Sequence, residues 1–313
     1  MTIWQHTLAR PVETVGVGLH SGAKVRLALL PAPPEHGIRF RRTDYHQPIE
    51  IAVAPGAVTE TRLCTGLSQG GVGVATVEHL LSALAGVGVD NVTIEIDGPE
   101  VPIMDGSAAP FVLLLAEAGL LAQPVPRRYV RVVAPVEVRD GDKWARLEPY
   151  EGFRLTFSID FAHPAIRASR TQAVVDLGKC DYARAVARAR TFGFVHEVEA
   201  LRGMGLARGG SLENAVVLDE YRVLNPGGLR CEDEFVRHKI LDAIGDLYVL
   251  GHPLLAHFVA HKSGHALNNR LLRALIATRS AWEWVTLERG AKAPLRLTSL
   301  FPAPRETLPA LAQ

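Results

Sequence analysis

The sequence predicts an α+β protein of two domains, and three observations carry that expectation. Short strand-like runs joined by Gly and Pro turns come first in each half of the chain, and apolar-striped helices follow them. Gln123 to Arg128, with two prolines and no periodicity, reads as a linker, and the strand pattern restarts at Tyr129. The 313 residues are 48% hydrophobic with positive mean hydropathy, enough for one large or two ordinary cores. A first domain over residues 1–126, a second over 127–300 and a mobile tail over 301–313 are therefore expected, with no internal sequence repeat.

In the first half, strands are expected at Val15 to Leu19, Lys24 to Leu30, Gly37 to Arg42 and Ile49 to Val53. His20 lies in the loop after the first of these, either merely solvated or turned toward a substrate. Thr65 to Gly73 is Gly-rich and uncharged, and says nothing of substrate choice. Thr76 suits an N-cap, Leu80, Leu81 and Leu84 make an apolar stripe, and Gly86 suits a stop, so Glu78 and His79 fall in a first helical turn at an exposed mouth. A Glu beside a histidine suits hydrolysis assisted by a metal; it equally suits a helix dipole. The second histidine of HExxH is missing, so no metal site is completed locally. A strand at Asn91 to Ile96, two AspGly turns and a helix at Ala109 to Ala118 close this half.

The second half repeats the order. Strands are expected near Tyr129 to Val133, Val136 to Arg139, Lys143 to Pro149 and Phe153 to Phe161, then a short helix at Val195 to Leu206 and strands at Ala215 to Leu218 and Tyr221 to Leu224. A strand at Leu254 to Ala260, a loop carrying His265 and a last long helix at Asn268 to Leu287 follow the central helix. That central helix is the most informative stretch. At roughly 100° per residue His238, Asp242, Asp246 and Lys239 share one arc, while Val236, Ile240, Leu241, Ala243, Ile244 and Leu247 cover the remainder. His and Asp four residues apart can close on one zinc ion; they can also form an ordinary i,i+4 pair on a solvated face.

Composition narrows the function classes. Lys plus Arg number 34 and Asp plus Glu 33, for a net charge of +1, which offers no field for nucleic acid. Cys64, Cys180 and Cys231 are odd in number and widely spaced, which fits a reducing compartment rather than a disulfide framework. The N-terminus lacks signal-peptide character and no apolar run approaches the roughly 18 residues of a membrane span, so a cytoplasmic protein with no integral membrane segment is expected.

Taken together, Gln5 to Arg10, Gly16 to Gly22, Thr76 to Leu84, Pro102 to Phe111, Ile159 to Pro164, Arg188 to Phe194, Ser211 to Val217, Asn225 to Tyr248 and Lys262 to Asn269 closely resemble the zinc-dependent UDP-3-O-acyl-N-acetylglucosamine deacetylases of lipid A synthesis, the LpxC family. The resemblance implies a metal site of His79, His238 and Asp242 in a cleft between domains, with Zn(II), or Fe(II) in cells, as the ion. It makes Glu78 the general base and His265 a cation, oriented by Asp246, that stabilises the tetrahedral oxyanion or protonates the leaving amine. Thr191 becomes an oxyanion donor, and Lys239 lies near the sugar and diphosphate. Phe161 would pack on uracil, Lys143 and Lys262 would meet phosphate, and Phe192 with Val195, Leu201, Met204 and Leu206 would line a passage for the acyl chain, with Leu19 and Leu63 at its mouth. Local core is the competing reading of those apolar residues.

The same resemblance implies two similar sheet-plus-helix domains packed helix layer to helix layer, with a β insert in the first and a βαβ insert near 191–225 in the second. It implies a monomer working on a UDP-acyl-sugar, with no appended dehydratase domain and with membrane-surface proximity. Rival readings are a zinc amidohydrolase for another N-acyl sugar and a non-catalytic, RNA-binding module.

Overall fold

The fold is taken from a computed structural model, which describes residues 2–288 together with the backbone of Arg305 and Glu306. In the first half the strands are β1 (Trp4–Leu8), β2 (Val12–Val17), β3 (Lys24–Pro31), β4 (Ile38–Arg42) and β5 (Ile49–Ala52). A three-stranded meander follows, β6 (Val58–Glu60), β7 (Gly66–Gln69) and β8 (Val72–Val74), and then α1 (Glu78–Val87), β9 (Val92–Ile96), α2 (Ala109–Ala118) and β10 (Leu120–Pro126). Sheet order is β2-β3-β9-β4-β5, antiparallel except for the parallel β4/β9 pair. Alternation explains the inner face: Val25, Leu27 and Leu29 of β3 are buried at a period of two, and the helices cover them.

The second half contains β11 (Arg128–Val132), β12 (Val136–Asp140), β13 (Lys143–Glu148), β14 (Phe153–Ser158), α3 (Pro164–Arg167), β15 (Gln172–Asp176) and α4 (Tyr182–Ala185). Next come β16 (Phe192–Phe194), α5 (Val195–Gly203) and β17 (Val216–Leu218), a parallel βαβ insert, then α6 (Glu234–Tyr248), β18 (Leu254–His261), α7 (His265–Ala277) and β19 (Trp282–Thr286). Here β12-β13-β18-β14-β15 has the same pairings as the first sheet: antiparallel, antiparallel, parallel, antiparallel. The β1/β10 pair recurs as β11/β19, and each insert falls between the fifth strand of its half and the first long helix. The repeat invisible in the residues is therefore explicit in the hydrogen bonding.

The two helix layers meet where α1 packs on α6. Gly245 permits that approach, since a methyl group there would run into the backbone of Glu78; a methyl at Gly86 would likewise strike the ring of Tyr182, whose hydroxyl bonds Ser82 at 2.7 Å.

Several boundaries differ from the expectation. Gln123 to Arg128 is not a loose linker: β10 and β11 leave only Arg127 between them, and Pro124 and Val125 fall where the β1 register shifts, so the N–H that Pro124 lacks belongs to no paired position. The last helix stops at Ala277 and the remainder forms β19, because Trp282 to Thr286 pairs with β11. Tyr221 to Leu224 supplies a single bridge rather than a strand. The expected tail, 301–313, lies outside the described residues except for the backbone of Arg305 and Glu306, which pairs with β10.

Candidate metal centre and active site

Glu78 and His79 open α1, but the first turn is not an exposed mouth. Both residues are 3% exposed. Thr76 is not the N-cap either. It adopts φ +58°, costly for a β-branched residue, and its hydroxyl donates to the buried Glu100 carboxylate at 3.0 Å. The helix stops two residues later than expected, at Gly88 rather than Gly86, with Gly88 left-handed at φ +85°.

On α6 the polar arc faces the cleft floor and α1 rather than solvent: His238, Asp242 and Asp246 are 1%, 4% and 3% exposed. Glu234, fully buried at the start of α6, accepts from the Arg190 Nε at 2.8 Å and from the backbone N–H groups of Arg190 and Arg230. That pairing fixes the segment before β16 that bears Ala189, whose carbonyl lies 3.1 Å from His238 Nδ1. With Nδ1–H donated to Ala189, the lone pair of His238 sits on Nε2, which faces Asp242 Oδ1 at 3.2 Å; His79 Nε2 lies 3.5 Å from the same oxygen.

Ligand atoms of His79, His238 and Asp242 all fall within 4.8 Å of one another. Asp242 Oδ1 and His79 Nδ1 are buried with no hydrogen-bond partner, while Asp242 Oδ2 accepts from Lys239 Nζ at 2.8 Å. Two imidazoles and one carboxylate, drawn together with unmet lone pairs, fit a divalent cation of the zinc type, and three protein ligands leave a position free for substrate or water. Burial pushes the His238 pKa down to about 3, which keeps the ring neutral and able to coordinate. Burial alone would raise the Asp242 carboxyl, but His238 and Lys239 outweigh it and hold it well below its usual range. Burial raises Glu78 above the ordinary carboxylate value, the direction a general base needs.

His265 is the first residue of α7, where the helix dipole disfavours a cation. Burial also works against charge on its ring. Asp246, at 2.9 Å and 3.1 Å from Nδ1, outweighs both and lifts the pKa to about 9. Asp246 accepts in addition from the Thr65 hydroxyl at 2.6 Å and from Asn268 Nδ2 at 2.8 Å, and the Thr65 N–H donates to Glu78 Oε2 at 2.9 Å.

A cleft of about 580 Å³ collects nearly every residue expected at the site: Glu78, His79, Thr191, His238, Lys239, Asp242 and His265 on its floor, with Leu19, Leu63, Lys143, Phe161, Phe192 and Lys262 around it. Asp246 stands behind His265 rather than on the wall. Phe161 meets Phe192 edge to face at 5.4 Å, and Lys239 Nζ sits 5.6 Å over the Phe192 ring. Lys262 is engaged by Asp142 at 2.6 Å and Asp160 at 3.3 Å. His20 does reach the cleft, both ring nitrogens buried and without partners, and burial lowers its pKa. Val195 and Met204, expected in an acyl passage, are instead largely exposed on the insert and do not line this cleft.

Sequence reasoning missed Thr65, Asn268, Arg190, Glu234 and Glu100. Asn268 had a signal, standing three residues after His265 on one helical face. Thr65 had none, because its partner is 181 residues away.

Residues 5–277 match the family described as LpxC: UDP-3-O-acyl N-acetylglycosamine deacetylase. The chain belongs to the LpxC family. Among curated relatives it is 56% identical over 291 residues to the UDP-3-O-acyl-N-acetylglucosamine deacetylase of Cellvibrio japonicus, covering 93% of this chain and 96% of that one. It is 54% identical over 297 residues to the protein of the same name from Shewanella baltica, covering 95% and 97%. In this LpxC chain the matched span takes in both halves, and with them every residue of the cleft floor.

Proposed function

We propose that this chain is a metal-dependent amidohydrolase that removes the N-acetyl group of UDP-3-O-[(R)-3-hydroxyacyl]-N-acetylglucosamine, giving the 2-amino sugar nucleotide and acetate, the committed step of lipid A synthesis. The observation that carries this reading is the convergence of His79 from one half with His238 and Asp242 from the other, beside the buried Glu78 and the Asp246–His265 pair. A zinc ion held by His79, His238 and Asp242, or Fe(II), which the same ligands accept, would act as a Lewis acid on the acetamide carbonyl and lower the pKa of water. Glu78 takes the proton of the water that attacks the carbonyl carbon. As the C–O bond forms, the Thr191 hydroxyl meets the developing oxyanion. Collapse breaks the C–N bond, and His265 protonates the departing amine through the ring nitrogen not held by Asp246.

For the remainder of the substrate, Phe161 serves uracil, Lys143, Lys239 and Lys262 serve the diphosphate and sugar, and Leu19, Leu63 and Phe192 serve the acyl end. We place the boundary between the two domains at residues 126 and 127, each contributing one half of the site. The chain would act as a cytoplasmic monomer close to a membrane surface; no helix among the described residues is long and apolar enough to cross a membrane.

The test is acetate release from UDP-3-O-[(R)-3-hydroxyacyl]-N-acetylglucosamine by purified protein, with and without chelator, beside His265→Ala. Chelator-sensitive release that falls by orders of magnitude in the variant supports the assignment. A wild-type protein that binds one metal per chain and releases no acetate would sink the substrate and leave the metal site standing.

A further inference from the structure

We propose that Thr65 is a positioning residue of this reaction, holding the base Glu78 and the Asp246–His265 pair in fixed relation across the junction of the two halves. The inference rests on the deacetylase reading above. Thr65 lies between β6 and β7, 2% exposed, and all of its polar atoms are committed. Its carbonyl accepts from the N–H of Val77, the residue just before α1, at 3.1 Å. Its own N–H donates to Glu78 Oε2 at 2.9 Å, and its hydroxyl donates to Asp246 Oδ1 at 2.6 Å.

One residue of the first half thus bonds the start of α1, the carboxylate on its first turn, and a carboxylate on α6. The bond to Glu78 fixes which carboxylate oxygen is engaged by the protein and leaves Oε1 for a proton. The bond to Asp246 is different in kind, because it comes from a side chain and can be deleted without touching the backbone. Asp246 is buried and has three donors aimed at it, from Thr65, Asn268 and His265. Two of these belong to α7 and would let the carboxylate and the His265 ring shift together. Of these three donors only Thr65 comes from the half that carries Glu78 and His79, and its hydroxyl adds a directed bond to the packing of α1 on α6. Base and acid must act on one carbonyl carbon and one nitrogen within the same turnover, so their separation is the quantity at stake, and an ångström of misplacement costs up to about 100-fold in rate.

The hydroxyl, rather than the shape, is predicted to matter. Thr65→Val keeps volume and branching and deletes the donor; Thr65→Ser keeps the donor and loses a methyl group. With the same UDP-acyl-sugar substrate and a metal content of one per chain verified in each protein, Thr65→Val should lose about 10- to 100-fold in kcat with KM within twofold, and Thr65→Ser should retain most of kcat. Thr65→Ala replaces the valine variant if the latter does not fold. Equal kcat in wild type and Thr65→Val overturns the proposal, as does a serine variant as slow as the valine one. An inactive wild type overturns the deacetylase reading itself and this role with it, which separates that failure from an active wild type indifferent to Thr65.

Discussion

Glu78 and His265 are both buried at the cleft floor, and burial alone would drive both toward neutrality. His265 is hydrogen-bonded to Asp246, whose charge outweighs burial, whereas burial prevails at Glu78, so the two groups are pushed in the directions the proposed base and acid need. Glu78→Gln should lower kcat by about 10²- to 10⁴-fold, the usual worth of a positioned base, while one metal per chain is retained on elemental analysis. The His265 pKa stands near 9 against an ordinary 6.5, so the basic limb of kcat/KM should lie near pH 9. Asp246→Asn removes the raising charge and should bring that limb toward lower pH; a limb that stays in place would show that another group titrates. Because the folded value is the raised one, the stability that the cation contributes is fully present below about pH 6.5 and disappears as pH rises through about 9, a trend that chemical denaturation across this range would read.

Elements decide whether these residues meet. α1 and α6 come close enough to share a metal because position 245 has no side chain, and the contact it admits is the backbone of Glu78 itself. Gly245→Ala should cost about 3 kcal/mol or more in denaturant titration, at the upper end of overpacking, and should weaken metal binding as α1 is displaced. Retention of both would mean the helices slide without consequence. The Arg190–Glu234 pair performs the same office for His238, since it anchors the segment before β16 whose Ala189 carbonyl selects the tautomer. Both devices were hidden in the residues: a glycine inside an apolar helix reads as a tolerated weak spot, and a Glu in the first turn reads as dipole compensation.

Across the whole molecule the proposed ligand set is divided, His79 from the first sheet's helix layer and His238 with Asp242 from the second's. A ligand that binds only when both layers are docked stabilises the docked state by mass action. Removal of metal by chelator should therefore abolish acetate release and lower Tm by several degrees, with recovery on adding Zn(II); an unchanged Tm would mean that the helix layers hold the site open without the ion. The cleft also draws its lining from both halves, Leu19, His20 and Leu63 from the first and Phe192, Phe194 and Glu197 of the insert from the second. The loop carrying Leu19 and His20 is bonded to the insert, with Gly209 N–H on the Leu19 carbonyl at 3.0 Å.

The sequence by itself determined the α+β class, the order of sheet and helix in each half, and the residues that now meet in the cleft. Those follow from local periodicity, from turn chemistry and from motif spacings that resemble one family, none of which needs distant partners. Helix Ala109–Ala118 came out with its observed bounds for that reason. Only the tertiary structure decided that Glu78 and His79 are buried, that Gln123 to Pro126 is a strand, that the last helix yields to β19, and that Thr65 bonds Glu78 and Asp246 while Glu234 bonds Arg190. Each of those outcomes depends on a partner dozens to hundreds of residues away, and burial is a property of what packs against a residue rather than of the residue itself.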